Sequence, residues 1–414
     1  MAREYKDSGI EWIGQIPKEW EVIPLKWVIR APLQYGANET GLLYKGDLPR
    51  YVRITDIINN NLREDIQKQS LTEEQAEGYI LEDKDILFAR SGATVGKAFI
   101  YKNKYGRCAY AGYLIRAQLS SNYCPEFVYY YTQSHAYEEW KKQIFIQATI
   151  QNIGADRYSM LEIPFPSISE QQKIADYLDK ICGEVDEMVA LQETMIEELK
   201  AYKQSVITEA VTKGLNPNVP MRNSGIDWIG NIPKHWQMKR LKFMCEIQTG
   251  NQDTQDAEQD GEYPFYVRSP KVEHSNKYSF EGEGILMAGD GAGAGRVFHH
   301  AFGKYAVHQR VYRLSSFDDI DTTFLFHYIS NLFCKVMDMG SAQSTVPSVR
   351  LPMLQNFVVC IPSIEEQQHI ATYLDTQCSE IDALITLKQA KIEELKEYKK
   401  SVIYEYVTGK KEVV

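Results

Sequence analysis

Ser91-Gly92-Ala93-Thr94-Val95-Gly96-Lys97-Ala98 holds the glycines, lysine and hydroxyl that phosphate-binding loops use. Its spacing is wrong for that chemistry. Three residues stand between the glycines where such a loop has four, and Ala98 occupies the place of the Ser or Thr that would hold magnesium. A related stretch, Gly291 to Val297, puts Arg296 and Val297 at those two positions. The expectation is a glycine hairpin turn, not a nucleotide site, and in its functional form that turn presents Arg90, Thr94 and Lys97 on its surface.

Other reactive constellations fail in the same way. Methyl transfer to a base needs an Asn/Asp-Pro-Pro-aromatic loop and a glycine-rich cofactor motif, and the chain has neither; Asn216-Pro217-Asn218 reads as a linker. Glu-x-Lys pairs of the kind nucleases use occur at Glu82/Lys84, Glu198/Lys200 and Glu394/Lys396, where ordinary charged helix faces account for the last two. No two histidines fall at metal-ligand spacing with a carboxylate or thiol nearby, so no metal is expected. The seven cysteines are scattered and never C-x-x-C, which points to reduced, structural thiols.

A polyanion ligand is harder to dismiss, although the net charge is −10. The acid excess is local: residues 167–213 carry 5 basic against 10 acidic side chains, and 363–414 carry 7 against 10. Elsewhere the chain is nearly neutral and its charge is segregated. Residues 86–125 contain no acid but hold Arg90, Lys97, Lys102, Lys104, Arg107 and Arg116. Residues 291–317 repeat this with Arg296, Lys304, Arg310 and Arg313 beside His299, His300 and His308. Solvated charge runs normally mix signs, so two acid-free basic windows favour nucleic acid. The expected DNA face is therefore Arg90, Thr94, Lys97, Lys102, Lys104 and Arg107 in the first window, and Arg296, Lys304, His308, Arg310 and Arg313 in the second. Gln34, Asn38, Gln151, Gln252 and Gln343 join Thr94 as candidate base readers, because amides and hydroxyls in loops reach base edges. The interleaved aromatics, among them Phe99, Tyr101, Phe298 and Tyr305, read mostly as alternating strand core.

The elements that must carry these windows are written twice. Ser167 to Lys213 reads as one long helix, and Ser363 to Gly409 is its copy at an offset of 196, matching Glu170-Gln171-Gln172 with Glu366-Gln367-Gln368 and Ile196 through Lys200 with Ile392 through Lys396. Each start reads as a capping box, Ser167 with Glu170 and Ser363 with Glu366. Ile174, Leu178, Ile181, Val185, Met188, Met195, Leu199, Tyr202 and Val206 fall at alternating steps of three and four, interrupted only at Gln192. In the second copy the same seam meets Gln377, Lys388 and Lys391, while Ile385 and Ile392 lie one position off it, which predicts a drifting stripe there. At 1.5 Å per residue the first helix would be a rod of roughly 69 Å, a spacer.

The parts between are copies as well. Ser8 to Trp20 matches Ser224 to Trp236 at an offset of 216, and further matches are Tyr51-Val52-Arg53 with Tyr266-Val267-Arg268, Gly92…Gly96-Lys97 with Gly291…Gly295-Arg296, Phe127…Tyr131 with Phe324…Tyr328, and Thr149-Ile150 with Thr345-Val346. Strands are predicted over 85–89 and 98–101, joined by the glycine turn, with a helix over 126–145. Asn216 to Pro220 joins one half to the other. The fold class is α+β: two similar globular domains, 1–166 and 214–362, alternate with two long helices, 167–213 and 363–414, that pair as an antiparallel coiled coil. No run approaches 18 apolar residues and MAREYKDSG lacks a signal peptide's apolar stretch, so the cytoplasm is expected.

Two variable domains, each opened by S-G-I-[ED]-W-I-G-x-I-P and each closed by a P-S-I-x-E-Q-Q-x-I helix, resemble the specificity subunit of type I restriction-modification systems along essentially the whole chain. The resemblance implies that the domains are target recognition domains, each reading one half of a split double-stranded DNA sequence. It also implies that the helices hold them apart and dock two modification (methyltransferase) subunits, with restriction/translocase subunits when present. S-adenosylmethionine then belongs to the modification subunit and no cofactor to this non-catalytic chain. Two rival readings are a coiled-coil scaffold that binds only protein, and an enzyme that itself modifies DNA.

Overall fold

The computed structural model describes residues 3–58, 60–146, 151–340 and 347–413. It divides into two compact units, Met1–Gln192 with Ala390–Val414, and Glu193–Gln389.

In the first unit the strands that matter are β1 (Gln34–Tyr35), β2 (Arg50–Val52), β3 (Ile86–Ala89), β4 (Ala98–Ile100), β5 (Cys108–Tyr110) and β6 (Leu114–Ala117). An antiparallel sheet runs β4-β3-β6-β1, and a second sheet pairs β5 parallel to β2. The expected strands and their glycine turn are present: Ile86 faces Ile100 and Phe88 faces Ala98. The expected helix over 126–145 is instead two, Pro125–Tyr131 and His135–Ile146. Hydroxyls break it. Thr132 Oγ1 donates to Tyr129 O at 2.5 Å and Ser134 Oγ to Tyr131 O at 2.7 Å, while Ser134 Oγ accepts from Tyr137 N, so one serine closes a helix and opens the next. The core joins Trp20, Phe88, Phe127, Tyr131 and Tyr158 to Ile174, Leu178 and Cys182 of the long helix α1 (Ile168–Lys213).

The second unit repeats the plan with β7 (Glu246–Thr249), β8 (Tyr263–Tyr266), β9 (Gly284–Ala288), β10 (Phe298–Ala301), β11 (Lys304–Val307) and β12 (Val311–Ser315). Its sheet order, β7-β12-β9-β10, is the first read backwards, and β8 runs parallel to β11. The register corrects one expected match: Val52 pairs with Tyr110 and Tyr266 with the corresponding Val307, so Arg53 corresponds to Val267 and not to Arg268. Here a single helix, Thr322–Gly340, fills the place of the broken pair. The second long helix, α2 (Ile364–Val407), begins in this unit.

The repeated Gln of each helix start has a structural task. Gln171 and Gln367 are buried. Each donates to the carbonyl of the proline before its helix, Pro166 or Pro362, and accepts from a backbone N–H of the preceding domain, Cys124 or Asp321, at 2.9 and 2.7 Å. The capping boxes form by half. Ser167 and Ser363 accept from the N–H of Glu170 and Glu366, but Glu170 turns to Arg3, and Glu366 to His235 and Trp236. Both carboxylates thus tie the helix start to the opening segment of a domain.

Within each unit α1 and α2 run antiparallel. The Tyr177 and Tyr406 rings meet at a tilt, 4.6 Å apart, and Asp186 binds Lys399 at 2.6 Å in the first unit; Met195 meets Lys388 and Lys203 binds Asp382 at 2.7 Å in the second. The buried row corrects the expected seam. Leu178 and Val185 lie on it and Leu199 is half-buried, but its alternate members are shifted by one residue: Cys182 and Ile196 are 4% and 6% exposed, whereas Met188 and Tyr202 are 52% and 55% exposed. On α2 the buried row is Leu374, Cys378, Ile381, Ile392 and Leu395, with Ile385 half-buried between them, at the same offset of 196. Ile385 and Ile392 are therefore in the seam and α2 does not drift; Lys391 lies outside it.

Candidate nucleic-acid interface

The glycine turn between β3 and β4 closes on itself. Val95 N donates to Gly92 O, Gly96 N to Ala89 O and Lys97 N to Thr94 O, all at 3.0 Å. These amides are spent inside the turn, so they cannot cradle a phosphate as a nucleotide loop does. Gly96 has φ +82°, and a Cβ there would strike the Lys141 side chain. The second unit builds the same turn: Ala294 N meets Gly291 O, Gly295 N meets Ala288 O and Arg296 N meets Gly293 O. The expected match of these turns holds bond for bond.

Three further segments meet each turn. In the first unit Arg90 N donates to Tyr113 O, and Ile153 N donates to Arg90 O. In the second, Gly289 N donates to Arg310 O, and Val349 N to Gly289 O. The loop after β1 or β7 completes the cluster through Gly36 and Gly250, whose N–H groups reach Leu114 O and Val311 O. A Cβ on either glycine would collide with backbone carbonyls, of Tyr110 and Ala111 or of Val307 and His308. One end of each sheet therefore gathers four backbone segments held in common, whose side chains differ. Arg90, Ser91, Tyr113 and Asn152 in the first unit stand where the second has Gly289, Asp290, Arg310 and Ser348.

In the first unit this end is a cleft of about 460 Å³ lined by Tyr35, Asn38, Arg90, Ser91, Tyr113 and Asn152. The Arg90 guanidinium lies 5.1 Å from the centre of the Tyr35 ring. Tyr35 and Tyr113 are exposed, and Thr94 and Lys97 stand on the adjoining turn. In the second unit Arg310 Nη1 and Arg268 Nη1 donate to the two oxygens of Asp290, at 2.5 and 2.9 Å. Partial burial opposes ionisation of Asp290, but the two guanidinium hydrogen bonds outweigh it and hold the carboxyl below its usual range. Arg296, on the turn, pairs with Asp338 at 2.7 Å.

The expected faces do not survive whole. Lys102, Lys104 and Arg107 follow β4, at the opposite end of the β3–β4 pair from Arg90, Thr94 and Lys97. Space also restores acids that the sequence window lacked. Arg107 makes two 2.6 Å hydrogen bonds with Glu73, and Asp83 accepts from Asn103 N. Lys304 likewise lies across the sheet from Arg296, over the Tyr278 ring. Arg313 is buried and donates to Tyr305 Oη and Ser315 Oγ, and so is withdrawn from the face. His308 is withdrawn too. It is 2% exposed, its Nδ1 accepts from Arg310 N, and burial pushes its pKa down. Of the amides, Gln34 bridges Gly78 O and Arg116, and Gln252 bridges Lys277, Ser279 and Ser275, so both are scaffold. Asn38 and Gln151 are exposed. Gln343, Thr149-Ile150 and Thr345-Val346 lie outside the described residues. Arg268 was missed because it sits beyond the acid-free window, where only the fold brings it to Asp290.

The Glu-x-Lys pairs are occupied elsewhere. Glu82 binds Arg30, Lys84 binds Glu126, and Lys200 and Lys396 pair along their own helices with Glu197 and Glu393. Among the described residues no three His, Cys, Asp or Glu side chains are grouped to hold a metal ion.

The family model for the type I restriction modification DNA specificity domain matches residues 17–201 and 233–397. The chain belongs to that family. Along its length it is 26% identical to a Methanocaldococcus jannaschii protein provisionally described as the type I restriction enzyme MjaX specificity subunit, covering 99% of this chain and 98% of that one. The Escherichia coli EcoDI specificity subunit is 28% identical over 42% of this chain and 38% of its own. Among solved structures, a chain from a type I restriction-modification system overlays with TM-score 0.72 at 16% identity, covering 95% of this chain and 98% of that one. The specificity subunit of Thermoanaerobacter tengcongensis gives 0.51 at 15%, with the same coverage. These likenesses show the fold. In a specificity subunit with two DNA specificity domains, a shared backbone cluster with unshared side chains is the arrangement that reading two different sequences requires. No described helix is long and apolar enough to cross a membrane.

Proposed function

We propose that this specificity subunit reads a bipartite, asymmetric DNA target as a non-catalytic, cytoplasmic member of a larger complex. The first domain reads one half through the end of its sheet that holds Tyr35, Asn38, Arg90, Thr94, Lys97 and Tyr113, and the second reads the other through Arg268, Asp290, Arg296 and Arg310. The single observation that carries this is the matched four-segment cluster, which keeps its backbone hydrogen bonds in both units while Arg90, Ser91, Tyr113 and Asn152 give way to Gly289, Asp290, Arg310 and Ser348. The long helices set the unread gap and dock two modification subunits, which bring S-adenosylmethionine; restriction/translocase subunits join when present.

Docking is supported by apolar side chains left outside the helix seam at repeated positions. Met188 and Leu191 on α1 correspond to Leu384 and Leu387 on α2, and Tyr202 to Tyr398, and all six are exposed. Large apolar groups kept in water at the same place in both repeats suit a partner that binds twice. The test is to map methylated bases in cells expressing this chain with its modification partner. The reading expects one split sequence, absent when either protein is omitted, and no methyl transfer by the purified chain alone. Methylation without this chain at the same sites would overturn it.

A further inference from the structure

The pairing of one carboxylate with two arginines is unlike the other ion pairs at the reading ends. The Arg296–Asp338 pair is exposed on both sides. Asp290, by contrast, is 17% exposed and uses both oxygens, one for each guanidinium. Asp290 balances one of the two guanidinium charges and the neighbouring Asp253 acts on Arg310 as well, and each arginine spends only Nη1 on Asp290. Among the described residues, Nε and Nη2 of Arg310 have no partner. That edge carries two parallel donors, the geometry that matches O6 and N7 of guanine in the major groove.

The side chain of Arg310 is 62% exposed, but the backbone that carries it is held on both sides. Its N–H donates to His308 Nδ1, and its carbonyl accepts from Gly289 N. Its neighbours are fixed as well, His308 N on Tyr266 O, Gln309 N on Gln252 O and Val311 N on His308 O. The corresponding positions of the first domain, Tyr113 and Ser91, offer neither fork nor carboxylate. We propose that Arg310 reads a guanine in the half-site of the second domain, and that Asp290, braced by Arg268, is the positioning residue that aims it. This rests on the reading of the chain as a DNA-recognition subunit and adds the base and the residue.

The complex of this chain with its modification partner is tested on duplexes of its own mapped target. Each guanine of the second half is replaced in turn by 7-deazaguanine, which keeps base pairing and O6 but lacks the N7 acceptor. With the unaltered chain, affinity falls about tenfold at one guanine. In Arg310→Ala the unsubstituted target binds about tenfold more weakly, and the 7-deaza change at that guanine costs nothing further. Arg310→Lys keeps the charge but not the planar fork, so the salt slope stays while the guanine preference weakens. Asp290→Asn lowers the ratio of target to random-sequence affinity without weakening random-sequence binding. The assignment is overturned if the second half contains no guanine, if the 7-deaza penalty persists in Arg310→Ala, or if that variant weakens target and random DNA alike with a reduced salt slope, which marks a phosphate contact. If the unaltered complex prefers no sequence, the DNA-recognition reading falls and takes this assignment with it.

Discussion

At the scale of single residues, the division of each basic window between two ends of a sheet separates residues that the sequence placed together. Arg90 and Lys97 share the glycine-turn end of the sheet, whereas Lys102 and Lys104 do not. Alanine at Arg90 and Lys97 should each reduce the slope of log affinity on log salt by about 0.9, and alanine at Lys102 and Lys104 should leave it unchanged. Equal effects from the two pairs would return the face to the whole window. His308 supplies a second test. Burial depresses its pKa, with Arg268 and Arg310 adding to the effect and Asp253 and Asp290 opposing it. A group whose folded pKa lies below its unfolded value stabilises fully above that unfolded value, near 6.5, and loses its contribution as pH falls through the folded one. Thermal midpoints followed from pH 7.5 to 5 should therefore fall, and fall less steeply in His308→Asn, which keeps an acceptor for Arg310 N but cannot titrate; parallel slopes would exclude the role. What the sequence concealed here has a common cause. An acid-free window says nothing about acids that arrive from other segments, as Glu73 does at Arg107, and an arginine such as Arg313 counts as charge whether it faces water or Tyr305.

At the scale of elements, the long helices were legible to the residue at both ends of α1 because a proline-serine start and a repeated copy leave little freedom. Their register was not. Apolar residues occupy both candidate rows, Met188 and Tyr202 on one and Cys182 and Ile196 on the other, so periodicity alone does not choose between them. The antiparallel partner chooses, and the identical buried row on α2 follows from the same pairing. Ile196→Ala and Ile392→Ala should each cost about 2–5 kcal/mol in denaturant unfolding, while Met188→Ala and Leu384→Ala should stay within about 0.5 kcal/mol. The reverse order would restore the shifted seam. The glycine turns were equally legible, since their spacing recurs, whereas the break at Thr132 to Ser134 depends on two hydroxyls whose helix-ending bonds compete only weakly with propensity.

At the scale of the whole chain, the account makes the helices a ruler and the domains exchangeable readers. Four residues inserted after Glu193 lengthen α1 by roughly 6 Å, and a heptad seam absorbs such a stutter by local unwinding. With DNA rising about 3.4 Å per base pair, the unread gap should grow by up to about two base pairs while both half-sequences persist. A folded, active insertion variant that keeps the original spacing would refute the ruler. The central claim is that each domain reads by itself, through side chains set on a backbone cluster common to both. Its most direct measurement is the methylated sequence after residues 30–160 are exchanged for those of a relative with a different target. The account predicts a new first half joined to the unchanged second half at the unchanged gap. A change in both halves would contradict it.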